Sequence, residues 1–147
     1  MIENRVDLKL TAVFFRSFEH VKQLIEKDIA SYGLNNTEFG TLEMLYHKGC
    51  QTIQTISSRL LMANSSMTYT LDKLESKGFI KRHKDLQDKR HTRIVLTPEG
   101  TTYIEGILPY HARTLKTIYG SLSKEDKELL IHLLKLLGFH AESLNRS

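Results

Sequence analysis

Phe79-Ile80-Lys81-Arg82-His83-Lys84-Asp85-Leu86-Gln87-Asp88-Lys89-Arg90-His91-Thr92-Arg93-Ile94-Val95-Leu96 reads as two short strands, 79–84 and 91–96, joined by the polar turn 85–90. Between Ile80 and Arg93 six lysines and arginines stand against Asp85 and Asp88, a net +4 that equals the formal charge of all 147 residues. The rest of the chain balances, so the positive excess sits in one hairpin. A local excess of this kind points to a polyanion, above all the phosphate backbone of nucleic acid. A solvated hairpin with no partner is the plain alternative.

Working outward, Lys77-Gly78 ends a helix that starts near Asn64 or Ser65, with Met67, Leu71 and Leu74 forming its inward stripe. A shorter helix precedes it, 53–61, with Thr52 as cap and Ile56 and Leu60 turned inward; Met62-Ala63-Asn64 makes the tight link. Before that, Phe39, Leu42, Leu45 and Tyr46 mark a helix capped near Asn36 or Thr37 and stopped at Lys48-Gly49. Residues 6–31 carry Val6, Leu10, Val13, Phe14, Val21, Leu24, Ile25 and Ile29 at helical spacing on one long helix that ends at Tyr32-Gly33.

Downstream, Thr97-Pro98-Glu99 is a helix start, with a capping hydroxyl, proline at the first turn and an acid at the positive helix end. That helix runs toward Tyr119 with Pro109 as an expected kink. Ser123 and Asp126 open a last helix whose Leu129, Leu130, Leu133, Leu134, Leu136 and Leu137 cover more than one face. A helix apolar over so wide an arc must be buried on several sides, which favours a dimer interface built from both chain ends over an intramolecular bundle.

The expected fold is therefore mainly α with a small β hairpin. A winged helix-turn-helix lobe spans 35–97, and 1–34 with 98–147 form a helical dimerisation region. In a winged helix-turn-helix the second helix of the pair enters the major groove and the hairpin reaches the backbone or adjacent minor groove. Asn64, Ser65, Ser66, Thr68 and Tyr69 offer hydrogen bonds to base edges or phosphates, and Lys73 suits a phosphate. Lys89, Arg90 and Arg93 supply the hairpin's cations for such contacts. Ordinary exposed polar residues would look the same without the hairpin beside them.

The run Asp88-Lys89-Arg90-His91-Thr92-Arg93-Ile94-Val95-Leu96-Thr97-Pro98-Glu99-Gly100, preceded by Leu74-Glu75-Ser76-Lys77-Gly78-Phe79-Ile80, resembles the signature of MarR-type transcription factors. The resemblance extends over nearly the whole chain. It implies an obligate homodimer on a pseudopalindromic double-stranded DNA operator, with Asp88 orienting Arg90 for the minor groove. Repression relieved by a small molecule or oxidant is also implied by the resemblance alone. Tyr32-Gly33-Leu34-Asn35, Leu45-Tyr46-His47-Lys48-Gly49, Met67-Thr68-Tyr69 and Asp72-Lys73-Leu74-Glu75 are similar to the methylhydroquinone-responsive branch, which implies an aromatic or quinone-like effector.

Effector candidates follow from the helices that line the family's ligand site: Phe14, Phe15, Phe18, His20, Tyr46, His47, Tyr110 and His111. Aromatic rings with a few polar tips suit a phenol or quinone, although core packing accounts for each ring taken singly. Cys50, the one cysteine, excludes an internal disulfide and is a candidate redox sensor, weighed against an inert thiol. The seven histidines lack the close pairing of a metal site. No cofactor is expected, and no phosphate loop, nucleophile elbow or carboxylate pair suggests an enzyme. The start of the chain shows no apolar leader and no run long enough to span a bilayer, so a cytoplasmic protein is expected. A winged-helix module that binds DNA without choosing sequence is the remaining rival.

Overall fold

The structure is a computed structural model that describes residues 4–62 and 64–147. Among the described residues six helices and three short strands follow in the order α1 (Arg5–Ala30), α2 (Asn36–Lys48), β1 (Gln51–Thr52), α3 (Ile53–Arg59), α4 (Asn64–Ser76), β2 (Ile80–Lys84), β3 (Thr92–Leu96), α5 (Pro98–Ile118) and α6 (Lys124–Asn145). The chain forms two compact units, 1–112 and 113–147.

Local chemistry sets the boundaries. Asn35 caps α2, accepting from the Glu38 amide at 2.8 Å while the Glu38 side chain accepts from the Asn35 amide at 3.1 Å. The cap is one residue earlier than expected, because only Asn35 stands three residues before a glutamate. Thr52 caps α3, and Ser123 with Asp126 closes a capping box on α6, both as expected. Thr97 accepts from the Gly100 amide at 3.0 Å and donates to the Gly78 carbonyl at 2.6 Å, fastening α5 to the end of α4. A side chain at Gly100 would collide with the Phe79 carbonyl oxygen, so glycine permits this close approach. Helix α5 continues through Pro109.

Helix α3 stops two residues short of the expected end. Met62 N–H donates to the Ser57 carbonyl at 2.9 Å and Leu61 N–H to Ser58 at 3.3 Å, which is a Schellman turn. Leu61 occupies its left-handed position with φ 54, and its side chain is 92% exposed. The same turn ends α4, where Gly78 fills that position with φ 78. Ala63, in the expected link, lies outside the described residues.

Strand β3 is central in the antiparallel order β1-β3-β2. Ile80 faces Leu96 and Lys84 faces Thr92, giving the expected hairpin, while Gln51 and Thr52 pair with Ile94 and Arg93. The sequence reading lacked β1. In the first unit the core joins Leu42 and Leu45 of α2, Ile56 of α3, Met67, Leu71 and Leu74 of α4, Ile80 and Ile94 of the sheet, and Ile104 of α5. Of the expected α1 stripe only Ile29 is buried, and α6 buries none of its residues.

Candidate nucleic-acid interface

Helix α4 turns Met67, Leu71 and Leu74 into the core, which leaves Ser65, Ser66, Thr68 and Tyr69 exposed on the other side. The side chain of Asn64 lies outside the described residues. Lys73 is half-buried: its Nζ is 3.9 Å from the Glu38 carboxylate and 5.7 Å from the centre of the Tyr69 ring. One turn on, Lys77 Nζ is 2.9 Å from the other oxygen of Glu38. Burial pushes the Glu38 carboxyl up, but bonds from Lys77 and the Asn35 amide and the charges of Lys77 and Lys73 together hold it below the ordinary 4.5. Lys73 of α4 and Lys77 just past its end thus clamp the helix to α2.

The hairpin turn is built by its two aspartates. Asp88 accepts from the Arg90 amide at 3.1 Å and takes the Arg90 guanidinium in a fork, Nε to Oδ1 and Nη2 to Oδ2, each 3.0 Å. The Arg90 side chain stays 87% exposed, so it is ordered and presented to solvent together. Asp85 accepts from the Gln87 amide at 2.9 Å and from Arg93 Nε at 3.0 Å. Both carboxyls lie below their ordinary range, Asp88 through the side chain and amide of Arg90, Asp85 through the Gln87 amide and then Arg93. Arg93 is held above its ordinary value by Asp85 and next by the exposed Cys50. Among the described residues Lys81, Lys84 and Lys89 have no acidic partner.

The effector candidates fall into separate places. His111 is buried, its Nδ1 2.8 Å from Asp28, which also accepts from the Tyr32 hydroxyl at 2.8 Å. The Phe39 ring lies 4.6 Å from the His111 ring. Tyr46 meets His47 at 5.2 Å and donates to Glu105 at 3.2 Å, a bond that raises the phenol above its ordinary value. Phe14 and Phe15, their ring centres 5.8 Å apart, are exposed on α1, as are Phe18 and His20, and Tyr110 is exposed on α5. Asp28, Tyr32 and Phe39, none of them among the effector candidates read from the sequence, form the surroundings of His111. Among the described residues no helix is long and apolar enough to cross a membrane.

A family model described as MarR family matches residues 34–92, the span that holds the clamped α4 and the wing tip. HTH-type transcriptional regulator YkoM of Bacillus subtilis (strain 168) is 40% identical over 93% of this chain and 89% of its own length. The chain belongs to the MarR family. MhqR of the same strain, also an HTH-type transcriptional regulator, is 37% identical over 94% of this chain and 95% of its own. The fold matches a cysteine-to-serine mutant of MarR from E. coli in complex with operator DNA, with TM-score 0.79, 20% identity and coverage of 92% and 97%. It also matches AbsC from Streptomyces coelicolor, with TM-score 0.86, 18% identity and coverage of 95% and 96%. As a MarR-family protein it is a DNA-binding transcriptional regulator and not an enzyme.

Proposed function

We propose that this MarR-family regulator is a sequence-specific repressor that binds a pseudopalindromic operator as a homodimer. In this reading 35–97 is the DNA-binding lobe, and 1–34 with 98–147 carry the dimer contacts. Ser65, Ser66, Thr68 and Tyr69 face the major groove with Asn64 at the start of the same helix, and Lys73 reaches the backbone at the edge of its contact with Glu38. The observation that carries the proposal is the wing tip. Asp88 holds Arg90 forked at 3.0 Å while leaving it 87% exposed, the arrangement a guanidinium needs to enter a narrow A·T-rich minor groove without losing rotamer freedom on binding. Lys89 and Arg93 flank it toward phosphates.

The effector is proposed to be aromatic or quinone-like, on the resemblance to the methylhydroquinone-responsive branch and the 37% identity with MhqR. A second reading places the signal on Cys50, favoured by one observation: this exposed thiol directly precedes β1, whose Gln51 and Thr52 pair with Ile94 and Arg93 of the wing's second strand. An adduct there would disturb a proposed DNA contact.

The test is binding to the gene's own upstream region, titrated with a simple quinone, for wild type, Arg90→Ala and Cys50→Ser. Arg90→Ala is expected to weaken binding about tenfold and to lower the salt slope by about one. Unchanged affinity at matched salt removes the wing from the mechanism. Release by quinone in wild type and Cys50→Ser alike supports a reversible pocket; release in wild type alone makes Cys50 the sensor. Equal affinity for any duplex would favour a regulator that binds without sequence choice.

A further inference from the structure

Along β2 the side chains alternate, so Ile80 and Arg82 share a face. Ile80 is buried against the core, and Arg82, one pleat further out, meets α4. Its Nη2 donates to Asp72 Oδ1 at 2.8 Å and reaches the Thr68 carbonyl at 3.4 Å, so one guanidinium spans a full turn of the helix. Its Nε is buried and has no hydrogen-bond partner among the described residues. We propose that Arg82 and Asp72 are positioning residues for DNA recognition, a latch that fixes the wing against α4 so that both meet one duplex at a set angle. The inference rests on the proposed interface, in which α4 and the wing are the two DNA-reading elements.

Stability does not account for the pair. The Asp72 side chain is 57% exposed and that of Arg82 28%, a setting in which ion pairs contribute little. The buried Nε adds an unsatisfied donor, which costs stability. Charge does not account for it either. Asp72 places a negative group on the DNA-facing helix, and Arg82, counted by sequence among the hairpin's cations, is committed to it. What the pair does provide is geometry: one nitrogen of a planar guanidinium, held by Asp72 and reaching the Thr68 carbonyl a helical turn away, resists rotation of the strand about its contact with Ile80.

The test compares a duplex selected from a random pool by the wild-type protein with a random duplex of equal length, for Arg82→Met, Asp72→Asn and the double variant. Methionine keeps the apolar stem that covers the core. Each single variant is expected to lower the ratio of selected to random affinity about tenfold at unchanged thermal stability, and the double variant to lose no more than either single one. Asp72→Asn decides the sign. Removing a negative charge should tighten binding to all DNA if only electrostatics matters, whereas loss of the latch weakens the selected duplex and leaves random DNA equal or tighter. Equal tightening on both duplexes, or losses that multiply in the double variant, would overturn the latch. Should Arg82→Met fail to fold, Asp72→Asn still decides, because that side chain is more than half exposed. A wild-type protein that enriches no sequence would overturn the sequence-specific reading and the latch with it, an outcome distinct from enrichment without a variant effect.

Discussion

At the scale of the residue, Leu61 shows where the chain departs from its own local preference. A left-handed position at a helix end favours glycine, since a Cβ there crowds the following carbonyl. Leu61 adopts φ 54 with its side chain 92% exposed, so no packing offsets the strain. Leu61→Gly is therefore expected to stabilise the lobe by about 1 kcal/mol, read as a higher midpoint of denaturant unfolding at unchanged slope. A lower midpoint would show that the exposed leucine contributes contacts the strain argument leaves out. The sequence extended α3 through this residue because leucine is a good helix former, and nothing local marks the turn. Arg82 was hidden for a similar reason. Its partners, Thr68 and Asp72, are 14 and 10 residues away, and charge counting along the chain cannot distinguish a committed arginine from a solvated one.

At the scale of the element, α4 is set by its buried stripe and by Glu38. The stripe was legible, because Met67, Leu71 and Leu74 recur at helical spacing, and so were the caps at Thr52, Thr97 and Ser123. Strand β1 was not, since two residues carry no alternation to detect. The clamp from Glu38 to Lys73 and Lys77 was also illegible, because it joins helices whose packing depends on the whole core. Glu38→Gln isolates its charge, as glutamine can keep the capping box. The folded carboxyl lies below its ordinary 4.5, so its charge stabilises the lobe fully above that value, and the contribution is lost as pH falls through the lower folded value. The variant should be about 1 kcal/mol less stable at neutral pH, with the gap closing in acid as the wild-type carboxyl becomes neutral. A gap independent of pH would mean that the amide disturbs packing and that the lysine contacts carry no charge effect.

At the scale of the molecule, the two units share one unmet requirement. Helix α1 exposes Leu10, Val13, Phe15 and Phe18 at 53% or more, and α6 leaves Leu130, Leu134 and Leu137 at 41% or more, a stripe at i, i+4 and i+7. Apolar area of that extent on a single chain marks an association surface. The breadth of the leucine face on α6 was legible in the sequence, but periodicity reports only that a face is apolar, not what covers it. A second copy is the proposed cover, and mass action makes that testable: the thermal midpoint should rise with protein concentration, because dissociation accompanies unfolding. Leu134→Glu places a charge in the middle of the α6 stripe and should yield a monomer by sedimentation. A monomer engages one half-site, so its operator affinity should fall by a factor on the order of 100 or more through loss of the intramolecular second contact. Its affinity for random DNA should fall far less, because each wing keeps its own cations. A midpoint independent of concentration, together with Leu134→Glu sedimenting as wild type does, would assign these apolar faces to something other than a partner copy.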